Sequence, residues 1–220
     1  MVEPLPARAR TEIPMKSSIF YRILLVTPVI ILATTLSSCK TTGSRHMYGH
    51  EFDPPVIRPS NPSAVKVKVS TSAQRVYAVE GDKVLLATPC SVGTHGSTGA
   101  GTYRIQYKEA RRRRQSQPDR GYPMAYWQEW KSAYGMHWGF VKPYPCTHGC
   151  IRLPAKSAAK LFSLTQVGTP LIIANSHPED NTIGKTLPVI DDNPLPNPDR
   201  AHMMSDRFFD DLAKGQLYKR

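Results

Sequence analysis

Four cysteines in 220 residues are too few for a scaffold stapled by disulfides, so each has to be read by its own surroundings. No apolar run approaches the ~20 residues that carry a helix across a bilayer. The nearest, Ile23–Leu36, is interrupted by Pro28. Acidic side chains are scarce as well, 17 against 29 lysines and arginines, which leaves a formal charge of +12. Charged residues make up only 21% of the chain and hydrophobic ones 40%, enough apolar matter for a core, so wholesale disorder is excluded. Proline is plentiful, with 20 residues beside 14 glycines, and this argues against an all-helical fold. The length suits one domain with tails.

The positive charge is concentrated in residues 63–175, while residues 176–220 are slightly acidic. A basic domain favours an anionic polymer or surface, because summed charge raises the local concentration of the opposite sign. Nucleic acid, bacterial wall polymers and acidic lipid headgroups all qualify. The N-terminus chooses among them. Lys16 and Arg22 precede the apolar run and small residues follow it, as in a secretory signal, for which Met15 is a more usual start than Met1. The end of the run, Leu36-Ser37-Ser38-Cys39, resembles the lipobox of bacterial lipoproteins. That resemblance implies removal of residues 1–38, a lipidated Cys39 and attachment to a membrane of the cell envelope; a buried helix or a signal cut elsewhere are the alternatives. Export removes nucleic acid from the list of partners.

Residues 39–62 read as a proline-rich tether, without periodicity. From Ala64 onward Val65, Val67 and Val69 alternate with Lys66, Lys68 and Ser70, the pattern of a half-buried strand. Strands are expected near Gln74–Val79 and Lys83–Thr88, joined by Glu80-Gly81-Asp82 turn chemistry, then over Thr102–Lys108 and Pro170–Ala174. Between them Pro154 and Gly168 bracket a run of helix formers from Ala155 to Gln166. The reading is a mainly β domain over 63–175, a meander or sandwich with one packed α-helix. Residues 176–220 form a second proline-rich linker ending in a short amphipathic helix, in which Met204, Phe208 and Leu212 recur at helical spacing. That helix is expected either to dock back on the domain or to meet a partner.

The densest chemistry lies in His137-Trp138-Gly139 and in Cys146-Thr147-His148-Gly149-Cys150-Ile151-Arg152. A cysteine nucleophile attacks as thiolate, and a free thiol near pKa ~8.5 needs a base or a positive field to reach that form. Histidine suits the task. Gly149 allows a tight turn that could aim the amides of Gly149 and Cys150 at one oxyanion, and the helix opening near Pro154 would bring its positive end to the sulfur.

Thr147-His148-Gly149-Cys150-Ile151-Arg152-Leu153 closely resembles the Ser/Thr-His-Gly-Cys signature of L,D-transpeptidase (YkuD-type) catalytic domains, with His137-Trp138-Gly139 as the preceding His-Xaa-Gly element. Ser91-Val92-Gly93, Thr98-Gly99-Ala100-Gly101-Thr102-Tyr103 and Gly168-Thr169-Pro170-Leu171-Ile172-Ile173 extend the resemblance across about 64–175. It implies an L,D-transpeptidase-like fold with the helix just after the catalytic cysteine. It also implies Cys150 as nucleophile, His137 as base with its ring oriented by the following backbone, and a pocket formed by Thr147, His148, Gly149, Arg152 and Trp138. The partner it implies is the peptidoglycan stem peptide. Cys150 would form a thioester with a tetrapeptide stem, release D-alanine and make a 3→3 cross-link, with no metal or organic cofactor. The substrate loop departs from the pattern, with Ser97-Thr98-Gly99-Ala100 in place of Thr-Pro.

Other readings of these residues stay open. Water as acceptor would make an L,D-carboxypeptidase, and a silent, basic wall-binding lipoprotein is the non-enzymatic alternative. Cys146, His148, Cys150 and His137 could instead ligate zinc. Cys90 and Cys146 either form a disulfide, in an exported compartment, or remain separate thiols. Tyr122, Tyr126 and Trp127 either wall the acyl-donor cleft or pack a core. The four consecutive cations Arg111–Arg114 read as a loop, solvated or drawn to an anionic surface.

Overall fold

The computed structural model describes residues 46–116 and 121–218; Cys39 and the signal segment lie outside these residues. In chain order the elements are β1 His46–Met47, β2 Val65–Ser70, β3 Arg75–Glu80, β4 Lys83–Pro89, β5 Gly101–Arg104, β6 Tyr107–Arg113, β7 Pro123–Lys131, β8 Tyr134–Trp138, β9 Ile151–Leu153, α1 Ala155–Leu164, β10 Pro170–Ala174, β11 Val189–Ile190, α2 Arg200–Met204 and α3 Arg207–Ala213. The fold is mainly β, as the alternation predicts. β4-β3-β2-β10-β5 form one sheet and β6-β7-β8-β9 another, while β1 and β11 pair as a small parallel ribbon.

Alternation explains the first sheet. Val65, Val67 and Val69 of β2 are buried, and Lys66 of the same strand is exposed. Gly81, at φ 58, closes the β3–β4 hairpin where Glu80 faces Lys83, a positive-φ position that a two-residue hairpin loop requires. β10 joins β2 in parallel and β5 in antiparallel register.

Thr102–Lys108, expected as one strand, is two. Ile105 turns inward to exchange main-chain hydrogen bonds with the α1–β10 loop, donating to Thr169 O (3.0 Å) and accepting from Gly168 N (2.7 Å). β5 and β6 therefore enter different sheets. The Arg111–Arg114 run belongs mostly to β6, not to a loop, and its first three cations each find partners within the chain. Arg111 pairs with Asp210, Arg112 with Glu109 and Glu129, and Arg113 donates to the carbonyls of Met203 and Ser205 at 2.8 Å.

The tails are docked. Residues 46–62 were expected as free tether, yet Phe52 and Pro54 are buried, Asp53 bridges Lys156 and Lys160, and Ile57 N–H donates to Leu85 O at 2.9 Å. The linker after 176 is anchored by Asp180, which accepts from Tyr77 OH at 2.7 Å, and by Asp192, which accepts from the Gly49 and Val141 amides. Phe208, Phe209 and Leu212 of α3 bury themselves in the main core. The expected terminal helix is thus two short helices broken at Ser205, and it takes the docked arrangement. Composition alone hid this, because proline-rich segments can be held by a few specific anchors.

Candidate active site

The candidate base lies on the four-stranded sheet, in β8, and the candidate nucleophile lies one residue before β9 of the same sheet. β8 and β9 run parallel with His137 opposite Arg152 and Met136 opposite Ile151. Side chains alternate along a strand, so Cys150, one residue before β9, shares the face of Arg152 and His137 and lies diagonally across from the imidazole. His137 is 3% exposed. Its Nδ1 lies 2.5 Å from the carbonyl of Trp138. A carbonyl only accepts, so Nδ1 carries the proton and Nε2 keeps its lone pair. The Trp127 ring packs 5.6 Å from the imidazole, and the Arg112 guanidinium lies 4.7 Å from the indole centroid.

The electrostatics set the resting protonation. Burial drives the His137 pKa down to about 4, with the Arg152 charge acting the same way and the Trp138 carbonyl opposing. Burial likewise pushes the Cys150 thiol up, while the Gly135 amide, Arg152 and Arg112 favour its thiolate. The resting pair is a neutral imidazole and a protonated thiol. A neutral imidazole and a protonated thiol brought within hydrogen-bond reach form nucleophile and imidazolium as attack proceeds, without storing an ion pair beforehand. The thiol rests against Ala133 O at 3.8 Å, on the β7–β8 turn.

Two expectations about activation are corrected. The helix does not begin at the sulfur: β9 intervenes, three residues or ~10 Å of extended chain, and a helix end acts only within about a turn. The Gly149 amide is not free for an oxyanion, because it donates to Thr147 Oγ1 at 3.0 Å. Gly149 is nevertheless required. Its φ of +131 suits glycine, and a Cβ there would stand 2.2 Å from the Tyr134 ring.

The remaining candidates separate. Thr147 and Gly149 are buried beside Cys150, Arg152 is half-buried on the face of His137, and His148 is exposed. Trp138 points the other way. It stacks on Tyr122 with centroids 6.0 Å apart and meets Phe208 at 5.1 Å, so Trp138 and Tyr122 are core packing. Tyr126 lies against Phe162 of α1 and, with Trp138, lines a cavity of about 420 Å³ that includes neither Cys150 nor His137. Of the three aromatics proposed for the cleft, only Trp127 is on its side, buried beneath His137 at 2% exposure.

Cys90, Cys146 and Cys150 are free thiols, so of the two readings of Cys90 and Cys146 the structure has the separate thiols. Main-chain bonds supply the clamp instead: Cys146 and Thr147 amides both donate to Val92 O, at 3.0 and 3.2 Å. Cys90 is sealed in the core, where burial raises its thiol pKa. Among the described residues no three of the histidine, cysteine and acidic side chains converge as metal ligands, and His137, Cys146, His148 and Cys150 form no such group. Glu129, Arg112 and Tyr134 adjoin the site without any sequence signal, since they arrive from strands distant in sequence or through a close approach.

The family model described as the L,D-transpeptidase catalytic domain, YkuD, matches residues 64–173. Among solved structures, an L,D-transpeptidase (Yku) from Stackebrandtia nassauensis is 22% identical over 56% of this chain and 60% of its own, with a TM-score of 0.47. L,D-transpeptidase 1 of Mycobacterium tuberculosis is 26% identical over 50% of this chain and 61% of its own, with a TM-score of 0.43. The chain thus spans about three fifths of those structures. No curated protein matches it.

Proposed function

The chain belongs to the YkuD family of L,D-transpeptidase catalytic domains, and from that premise we propose that it is an exported, lipid-anchored peptidoglycan L,D-transpeptidase. His137 Nε2 takes the thiol proton as Cys150 Sγ attacks the carbonyl of the third residue of a tetrapeptide stem. The carbonyl electron pair moves to oxygen. Collapse of that adduct breaks the peptide bond, His137 returns the proton to the departing amine, and D-alanine leaves. The thioester then acylates a side-chain amine of a second stem, which frees the thiol and leaves a 3→3 cross-link. Lipidation of Cys39 would hold the enzyme at a membrane of the envelope.

The observation that carries this reading is the held imidazole: buried, neutral, its Nδ1 committed to the Trp138 carbonyl, on the strand beside Cys150. The thiol donates to Ala133 O and not to His137, and catalytic hydrogen bonds are commonly long or poorly aligned until substrate binds. Incubating the purified protein with a disaccharide tetrapeptide is expected to release D-alanine and yield cross-linked dimers, and Cys150→Ala is expected to abolish both. Tripeptide without dimer would assign a carboxypeptidase. Undiminished D-alanine release by Cys150→Ala would reject the thioester route, and no release by wild type and variant alike would leave the wall-binding lipoprotein as the surviving reading. Absence of Cys39-dependent label from a radioactive fatty acid would reject the anchor.

A further inference from the structure

Thr98 is 3% exposed and sits 52 residues before Cys150 in the chain. Its hydroxyl accepts from the Gly93 amide at 2.8 Å and donates its one proton to the carbonyl of Gly149 at 2.7 Å. That reach exists because the Gly93 and Gly149 backbones nearly touch: a Cβ on Gly93 would stand 2.8 Å from Gly149 Cα. A second threonine works from the other side. Thr147 Oγ1 accepts from the Gly149 amide at 3.0 Å and donates to the Cys150 carbonyl at 2.6 Å.

Two hydroxyls therefore hold three of the four main-chain polar groups of Gly149 and Cys150. The fourth, the Cys150 N–H, has no acceptor among the described residues. The Gly149 carbonyl and the Cys150 N–H belong to one planar trans peptide and point in opposite directions. Fixing the oxygen fixes the direction of the N–H. Electrostatic stabilisation of an oxyanion depends on donors already aimed before charge develops, so that none has to turn during the reaction.

We propose that Thr98 is a positioning residue that aims the Cys150 N–H at the oxyanion of the acyl transfer, a role that rests on the thioester chemistry proposed above. Thr98 touches no reacting atom and acts through the Gly149–Cys150 peptide. It also gives the loop after β4 a function: the segment 93–98 carries the hydroxyl that steadies the catalytic turn.

The test compares wild type, Thr98→Val, which keeps the shape and removes the hydroxyl, and Thr98→Ser, which restores it. A carbapenem serves as acylating probe, and the infrared stretch of the thioester carbonyl reports the hydrogen bond it receives. Thr98→Val is expected to acylate about 10- to 100-fold more slowly, less than the ~10²–10³ that outright removal of an oxyanion donor costs, with KM little changed and the carbonyl band moved to higher wavenumber. Thr98→Ser is expected to recover both rate and band. Melting temperatures taken alongside identify a variant that has merely lost its fold, in which case Thr98→Ala replaces the valine. A valine variant with wild-type rate and an unmoved band overturns the proposal. So does a serine variant that melts like wild type yet behaves like valine. If wild type forms no adduct on Cys150, the proposed function falls by itself, and the Cys150 amide resonance in ¹⁵N-labelled protein decides the clamp: an unmoved resonance in Thr98→Val overturns it.

Discussion

In the five-stranded sheet the buried side chains include Val65, Val67, Val69, Val76, Leu86 and Leu171, small branched groups that fill a pleated surface and ask nothing of their neighbours but shape. In the four-stranded sheet the buried set includes His137, Arg112, Gln128, Trp127 and Trp138, each of which needs a partner as well as space. Tyr126 and Ala133 in and beside that sheet adopt φ of 60 and 64, conformations costing of order 1–3 kcal/mol each for residues with a Cβ. Arg112 Nε is buried without a partner among the described residues. The contrast separates framework from chemistry: one sheet contributes stability that offsets the desolvation and strain held in the other. The two are laced together by the main-chain pair Ser91–Arg152, at 2.9 and 3.0 Å, which links the end of the framework sheet to the strand next to Cys150.

Substitutions should expose this division in order of size. Gly149→Ala strikes the seam, where the positive φ and the Tyr134 ring both resist a methyl group. It is expected to cost about 3 kcal/mol and lower Tm by roughly 10 °C; a calorimetric shift below a couple of degrees would mean that the turn is looser than its geometry.

Acid should weaken the chemical sheet before the framework. With a folded pKa near 4 against an ordinary ~6.5, His137 stays neutral in the fold while the unfolded chain binds a proton. Its contribution is thus fully present above about pH 6.5 and is lost as pH falls to 4, by about 3 kcal/mol in all. Urea unfolding at pH 7 and 4.5 is expected to show a smaller acid loss in His137→Gln than in wild type, and equal losses would contradict the buried neutral imidazole. Acylation should accordingly keep its rate below pH 6, with the acid limb near 4.

Arg113→Ala removes two charge-assisted bonds to the Met203 and Ser205 carbonyls and the cation over Phe209, 4.9 Å from its centroid. A loss of about 2 kcal/mol is expected, with faster hydrogen exchange confined to α2 and α3. Arg111→Ala, on the same strand, removes only a pair whose members are 59% and 46% exposed, so its Tm should change by no more than about 1 °C. Equal effects of the two arginines would erase the distinction between them.

Legibility followed the same division. β2 and β10 were readable almost to the residue, because a valine alternating with lysine has only one way to bury itself. β6 and β7 were not: Arg111–Arg113 looks solvated until Asp210, Glu129 and the carbonyls after α2 arrive to meet it. His137 and Cys150 could be named from their motifs. Thr98 could not be assigned a task, since its hydrogen bonds span 51 residues to Gly149.

Local order therefore determined the mainly β fold, the α1 helix, the glycine turn before Cys150 and the choice of Cys150 and His137 as candidates, because periodicity and backbone freedom act over a few residues. Only the tertiary structure decided that Trp138 faces the core while His137 stands opposite Arg152, that Cys90, Cys146 and Cys150 stay unpaired among the described residues, and that the helix end misses the sulfur. Those outcomes depend on burial and on strand register, and neither exists until distant segments have packed.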